Sequence, residues 1–205
     1  MKEAKIGSDV RLLKAAEEEL IANNGQLEMG GVAKRAGLSV GLAYRYFGSK
    51  AGLIASVVDN FYQPIREIAL GEAIDVNQAW AMRERDRVQS LIDYYYSHPL
   101  AALIAGRLGR EPQVLDVEVA HMDALLELGA RNIAQGQAQG IVDPDLDPDM
   151  TVALLMGGLR QAINSAITAS KRPPKKKLLE NIWRFTENAL RITNSTRSAK
   201  AGARS

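Results

Sequence analysis

The spacing of apolar residues reads as helical almost throughout this chain. Between turn signals the apolar positions recur three and four residues apart, and no stretch alternates as a half-buried strand should. A first helix carries Val10, Leu13, Ala16, Leu20 and Ile21, with Ser8 or Asp9 as candidate caps and Asn23-Asn24-Gly25 as its stop. Two helices of about two turns follow: one from roughly Met29 to Ala36, broken by Gly37, and one capped by Ser39 and closed by Gly48. Ser49 then caps a fourth helix with Leu53, Ile54, Val57, Val58, Phe61 and Tyr62, which Pro64 should kink or end.

Beyond it the pattern predicts a helix from Asn77 to about Ser97, a short apolar one over Leu100 to Leu108, and a long one from Glu111 to Gln139. Two more follow, Asp149 to Ser170 and Pro174 to Ile192. The expected fold class is all-α with about nine helices. The expected domains are a helix-turn-helix head over residues 1–60 (motif 28–47), a helical effector-binding and dimerisation body over 61–192, and a flexible basic tail over 193–205. The boundary should fall inside the fourth helix, between about residues 50 and 65.

The two short helices carry the chemistry. Joined by a Gly-containing turn, they cannot fold alone and need the first helix for a core. On a helical wheel Ala43 and Phe47 fall on one side of the second short helix, and Gly41 and Arg45 on the other. An outward Arg45 suits a helix lying in a DNA major groove, because its fork can bond guanine O6 and N7 or a phosphate. Gly41 would let the backbone approach closely. Tyr44 can offer its hydroxyl to a phosphate, although Tyr44 and Tyr46 could instead pack the small core. Lys34 and Ser39 lie on the same motif, and Lys50 in the next helix can reach the DNA backbone.

The stretch resembles the N-terminal domain of TetR-family transcription regulators. The family pattern is met by Val32, Ala33, Ala36, Gly37, Leu38, Ser39, Gly41, Tyr44, Phe47, Ser49, Lys50 and Leu53, within a match running from the first helix through Val57. There are departures. Glu28 stands where the family places a Thr or Ser cap, and Gly30 and Gly31 weaken the helix it opens by roughly 1 kcal/mol each relative to Ala, which leaves an irregular or a ligand-adaptive helix start as the expectation. Val40 and Leu42 replace polar residues, so readout should rest on thymine-methyl contacts and Arg45. The resemblance implies a repressor that binds a palindromic operator and releases it when a small, largely apolar effector enters the body.

One recognition helix reads only a few base pairs, so a homodimer on two half-sites is expected. Its interface is read from the apolar and small stripes of the last two helices: Gly158, Ala162 and Ala166, with Leu178, Ile182, Trp183, Phe185 and Ala189. These stripes could instead complete the monomer core. The effector pocket that the resemblance implies would draw on Tyr95, Leu103, Glu118, His121, Leu125, Leu159, Arg160, Ile163 and Asn164, and Glu118 could favour a cation.

Charge and composition sharpen this picture in a few places. The net charge of +2 conceals a basic head segment (Lys34, Arg35, Arg45, Lys50), an acidic stretch over residues 53–170 and a strongly basic end. Only the head suits a polyanion partner, and ordinary solvated surface charge accounts for the pattern equally well. There is no cysteine and there are two histidines, which leaves thiolate chemistry out and a zinc or catalytic constellation unsupported. The alternation Asp143, Asp145, Asp147, Asp149 is interrupted by Pro144 and Pro148 and lacks the central Gly of a calcium loop, so it reads as a turn and helix cap. Gly157-Gly158 precedes no phosphate-loop lysine and reads as a close-packing site. No metal or cofactor, no signal peptide and no membrane span is expected, and the location expected is cytoplasmic. Three readings stay open: a ligand-responsive repressor, an architectural DNA-binding protein without an effector, and a helical enzyme.

Overall fold

The computed structural model describes residues 7–71 and 79–192. Helices run in the order α1 (Ser8–Ala22), α2 (Met29–Ala36), α3 (Val40–Phe47), α4 (Lys50–Leu70), α5 (Trp80–Ser97), α6 (Leu100–Ala105), α7 (Pro112–Ala138), α8 (Pro148–Thr168) and α9 (Lys175–Ala189), with a 3-10 turn at Leu108–Arg110. The described residues contain no strand, so the all-α expectation holds. The tail expected to be flexible, residues 193–205, and the Asn77 start of the fifth helix lie outside the described residues.

Most helix ends follow the local signals. Asn24 and Gly25 both take positive φ and stop α1, Gly37 closes α2 in the left-handed region (φ 62), and Gly48 closes α3 (φ 72). Ser39 Oγ accepts the Leu42 N–H at 3.2 Å, Ser49 Oγ that of Gly52 at 2.9 Å, and Asp147 Oδ1 that of Met150 at 2.7 Å, each satisfying an N-terminal donor. The acidic alternation is therefore a turn and cap, as its prolines suggest.

Other expectations need correction. α1 is preceded by Gly7, and neither Ser8 nor Asp9 caps it with a side chain. Of the two outcomes expected of Pro64, a kink or an end, the end does not occur, since α4 continues to Leu70. α2 is a regular helix from Met29, so the glycines do not make its start irregular.

The chain divides into two compact units. One gathers the chain up to Arg66 with Tyr96–Met122, and the other gathers Glu67–Tyr95 with the chain from Asp123 onward. In the first, α1, α2 and α3 pack on one another around fully buried Leu12, Leu20, Val32 and Ala43, and α1 also packs on α6. Arg107 donates to the Asn24 carbonyl at 3.2 Å, and the His98 ring meets Phe61 edge-on with centroids 4.9 Å apart. In the second, Trp80, Ile133, Val142, Val152 and Leu190 form the core. Gly136 is required there: a Cβ on it would lie 3.1 Å from the Trp80 ring. α9 packs on α8 in the same unit.

Candidate nucleic-acid interface

α3 is held at both ends by the devices just described and from beneath by Ala43, which is fully buried, with Phe47 half-buried. The opposite face is open. Gly41 and Arg45 are exposed, Tyr44 keeps 46% and Val40 38% of its surface, and Leu42 is half-buried. A Cβ on Gly41 would meet nothing within 4 Å. No packing among the described residues therefore demands a glycine there, and its bareness is free to serve an external surface.

Of the two open alternatives for the tyrosines, the core reading fails for both. Tyr46 is 51% exposed and lines a groove of about 710 Å³ with Asp9, Leu13, Phe47, Asp59 and Asn60. That groove carries two acids and is a poor surface for a phosphate backbone. The face bearing Gly41, Tyr44 and Arg45 carries none.

The cations of the head divide by what they already touch. Arg11 Nη2 donates to the Ala36 carbonyl at 2.5 Å, neutralising the C-terminal end of α2. Arg35 Nε donates to Glu19 at 3.0 Å. Both are committed to holding the head together. Lys34 and Arg45 are exposed and take part in no ion pair among the described residues. Lys50, also exposed, lies 3.8 Å from the Glu28 carboxylate.

Sequence reasoning missed Glu19. Its carboxylate is buried, accepts from Arg35 Nε and from Asn23 Nδ2 (2.8 Å), and sits against Gly31, where a Cβ would lie 2.8 Å from Glu19 Cδ. Gly31 is thus the space that lets α1 bring a buried carboxylate to α2. Gly30, by contrast, faces open space. The signal was present: Glu19 falls within the stripe of Leu12, Ala15, Ala16 and Leu20 that α1 buries.

The residues expected to line a pocket fall in both units. In the first, Glu118 and His121 are buried and Leu103 is half-buried. Tyr62 joins the two polar groups: its hydroxyl donates to Glu118 Oε1 at 2.9 Å and its ring stacks on His121, with centroids 4.3 Å apart and planes at 26°. In the second, Leu125 and Ile163 are buried, while Tyr95, Leu159, Arg160 and Asn164 are half-buried.

The residues expected at a dimer interface also separate. Gly158 is exposed and Phe185 is 61% exposed, Ala162 and Ala189 are half-buried, and Ala166, Leu178, Ile182 and Trp183 are buried by the chain's own packing. An exposed neighbour not anticipated is Leu154, at 67%. Among the described residues, no group of three or more His, Cys, Asp or Glu could hold a metal ion, and no helix is long and apolar enough to cross a membrane.

Residues 12–57 match the family described as bacterial regulatory proteins, tetR family. No curated protein matches the sequence. Among solved structures, the fatty acid degradation regulator FadR from Bacillus halodurans is 15% identical over 93% of this chain and 100% of its own, with a TM-score of 0.76. SmeT, the repressor of the Stenotrophomonas maltophilia multidrug efflux pump SmeDEF, is 15% identical over 93% of each chain, also at 0.76. A TetR-family regulator from Mesorhizobium loti is 23% identical over 89% of this chain and 95% of its own, at 0.67. At such identities these structures establish the fold, while the matched segment coincides with α1–α3 and the first turns of α4.

Proposed function

We propose that this chain is a TetR-family transcriptional regulator, on the match of its head and the likeness of its fold, and that it is a cytoplasmic repressor which binds a palindromic operator as a homodimer. A small, largely apolar effector releases it. The observation that carries the reading is the outward face of α3, where an unpaired Arg45 stands beside a bare Gly41 on a helix pinned at both ends. Arg45 reads guanine, and Val40 and Leu42 contact thymine methyls. Tyr44, Lys34 and Lys50 hold phosphates, and Ser39 fixes where the recognition helix begins.

The dimer forms on the open faces of α8 and α9. Leu154, Gly157, Gly158 and Phe185 are exposed, and a Cβ on either glycine would meet nothing within 4 Å. A second copy can approach those glycines closely and cover the two large apolar side chains in an isologous contact. The interface residues buried within the chain, Leu178, Ile182 and Trp183 among them, support that surface from behind.

Release requires the effector to favour the DNA-incompetent state by several kcal/mol. An effector held among the expected pocket residues of the second unit, Tyr95, Leu125, Leu159, Arg160, Ile163 and Asn164, would supply it, and α4, which carries Lys50 at its start, is the lever. One protein of similar fold, the regulator FadR from Bacillus subtilis, was crystallised in complex with stearoyl-CoA, which joins a long apolar chain to a phosphate-bearing carrier. The test is selection of a binding site from random duplex DNA, followed by salt titration. Enrichment of one palindrome, bound by two protomers with a steep salt dependence, supports the reading. Binding without sequence preference would favour an architectural role instead.

A further inference from the structure

Outside the head, the described residues hold one other concentration of unused donors, and it lies on a single face of α5 in the second unit. Trp80, Arg83 and Arg87 are spaced by three and four residues, so they line up along one side of the helix. Trp80 Nε1, Arg83 Nε and Arg87 Nε are all buried without an acceptor. Buried N–H groups almost always have a partner, and leaving a guanidinium donor unmet is more costly than leaving a neutral one. One carboxylate, Glu84, answers both arginines: it accepts from Arg87 Nη1 and from Asn132 of α7. Burial pushes the Glu84 carboxyl above its ordinary range, against the pull of Arg87, Asn132 and Arg83. Two permanent cations therefore share one acid that is itself reluctant to ionise, and the face keeps a surplus of positive charge.

We infer that Arg83 and Arg87 are the receptor for an oxyanion headgroup on the effector, beside the buried Trp80 indole. The inference rests on the ligand-responsive reading above and adds the ligand's chemical class: an apolar molecule ending in a carboxylate or a phosphate. Guanidinium forks match both groups in geometry. Both arginines are half-buried rather than sealed, so a headgroup can reach the open part of each side chain, and it meets the covered Nε atoms only if the guanidinium groups turn toward it.

Their position also gives the headgroup a mechanical role. A Cβ on Gly71 would lie 2.7 Å from Arg87 Nη2, and Gly71 is the residue (φ 76) whose N–H closes the last turn of α4 on the Glu67 and Ile68 carbonyls, each at 3.1 Å. The Arg87 guanidinium thus abuts the C-terminal end of α4, where a cation is favoured by the helix's exposed carbonyls. An anion drawing on Arg87 competes with that contact.

The test titrates decanoate, decyl phosphate and methyl decanoate into the full-length protein. Trp80 fluorescence is read in a Trp183→Phe background, these being the two tryptophans. At least one anion should bind saturably and about tenfold or more tighter than the neutral ester, and the tighter of the two identifies the headgroup as carboxylate or phosphate. Arg83→Gln and Arg87→Gln should each weaken the anion about tenfold and leave the ester unchanged. An ester that binds as tightly as both anions, or no saturable binding by either anion, overturns the inference, and this comparison stands whether or not the Gln variants fold. Operator binding is followed on the same preparations. Failure to bind any operator sinks the regulator reading while leaving the anion site intact.

Discussion

α3 and α8 both turn small and apolar residues to solvent, yet the two faces are suited to opposite partners. On α3 the exposed row of Val40, Gly41 and Tyr44 is interrupted by an unpaired Arg45. On α8 the exposed residues from Met150 through Leu154, Gly157, Gly158 and Gln161 to Thr168 include no charge. A bare glycine beside a cation invites a polyanion, and the same bareness on an uncharged face invites another copy of the chain. The two helices also differ in how they are held. Both have a side-chain N-cap, Ser39 and Asp147, but eight-residue α3 has little else to hold it, whereas 21-residue α8 adds a long apolar stripe packed on its neighbours.

Arg45→Ala should break the comparison most severely. Loss of a guanine contact costs about 1–3 kcal/mol, and a symmetric dimer loses two, so operator affinity should fall by about 2–6 kcal/mol with the thermal midpoint unchanged. Titration of labelled operator by fluorescence anisotropy measures this, and normal binding would mean the DNA face of α3 is assigned wrongly. On the other side of the comparison, Leu154→Arg gives the uncharged face of α8 a charge. Two copies of that charge then meet across a two-fold contact with no partner, at a cost of about 3–5 kcal/mol. Sedimentation at micromolar concentration should convert from dimer to monomer, and a dimer that survives would point to a different interface.

The head was legible because its geometry is dictated residue by residue. Gly37, Ser39, Gly48 and Ser49 act locally, through φ or through one hydroxyl, and each did what its type and spacing implied. The burial of Glu19 could be read from its place in the stripe of α1, but its partners could not, because Gly31 and Arg35 lie twelve and sixteen residues away. The body was readable as helices but not as sites. An apolar stripe says that a face is covered, not what covers it, so the sequence left Leu178, Ile182 and Trp183 open between a partner and the chain's own core, and the chain buries them. The Arg83 and Arg87 pair escaped for a related reason: two arginines on a helix with Glu84 between them read as an ordinary solvated charge row until their burial is known.

Gly31→Ala probes the brace that the sequence hid. The new methyl must displace a buried carboxylate that holds two hydrogen bonds, so the head should lose about 1–3 kcal/mol, despite the better helix propensity of Ala. Thermal unfolding followed by circular dichroism reads the loss. If Glu19 is the cause, Glu19→Ala in the same chain should make the further substitution at Gly31 nearly neutral, since the two positions act through one contact. An equal penalty in both backgrounds would assign the effect of Gly31 to something other than the carboxylate.

The smallest expected effect concerns Lys50 and Glu28, where the charged side of the comparison is partly masked. The pair is 3.8 Å apart and both side chains are well exposed, so it adds well under 1 kcal/mol to stability and neither substitution should move the thermal midpoint. Its consequence lies in DNA binding. Lys50 sits at the N-terminus of α4, where unpaired N–H groups also favour a phosphate, and Lys50→Ala should lower affinity for every sequence and reduce the salt slope by about 0.9 per protomer. Glu28 opposes this twice, by drawing the ammonium away and by repelling the phosphate itself. Glu28→Gln should therefore strengthen binding a few-fold at low salt, with the gain fading as salt screens it. The double variant separates the two routes. If Glu28 acts only through Lys50, Glu28→Gln has no effect once Lys50 is alanine. If it acts on the phosphate directly, the gain persists.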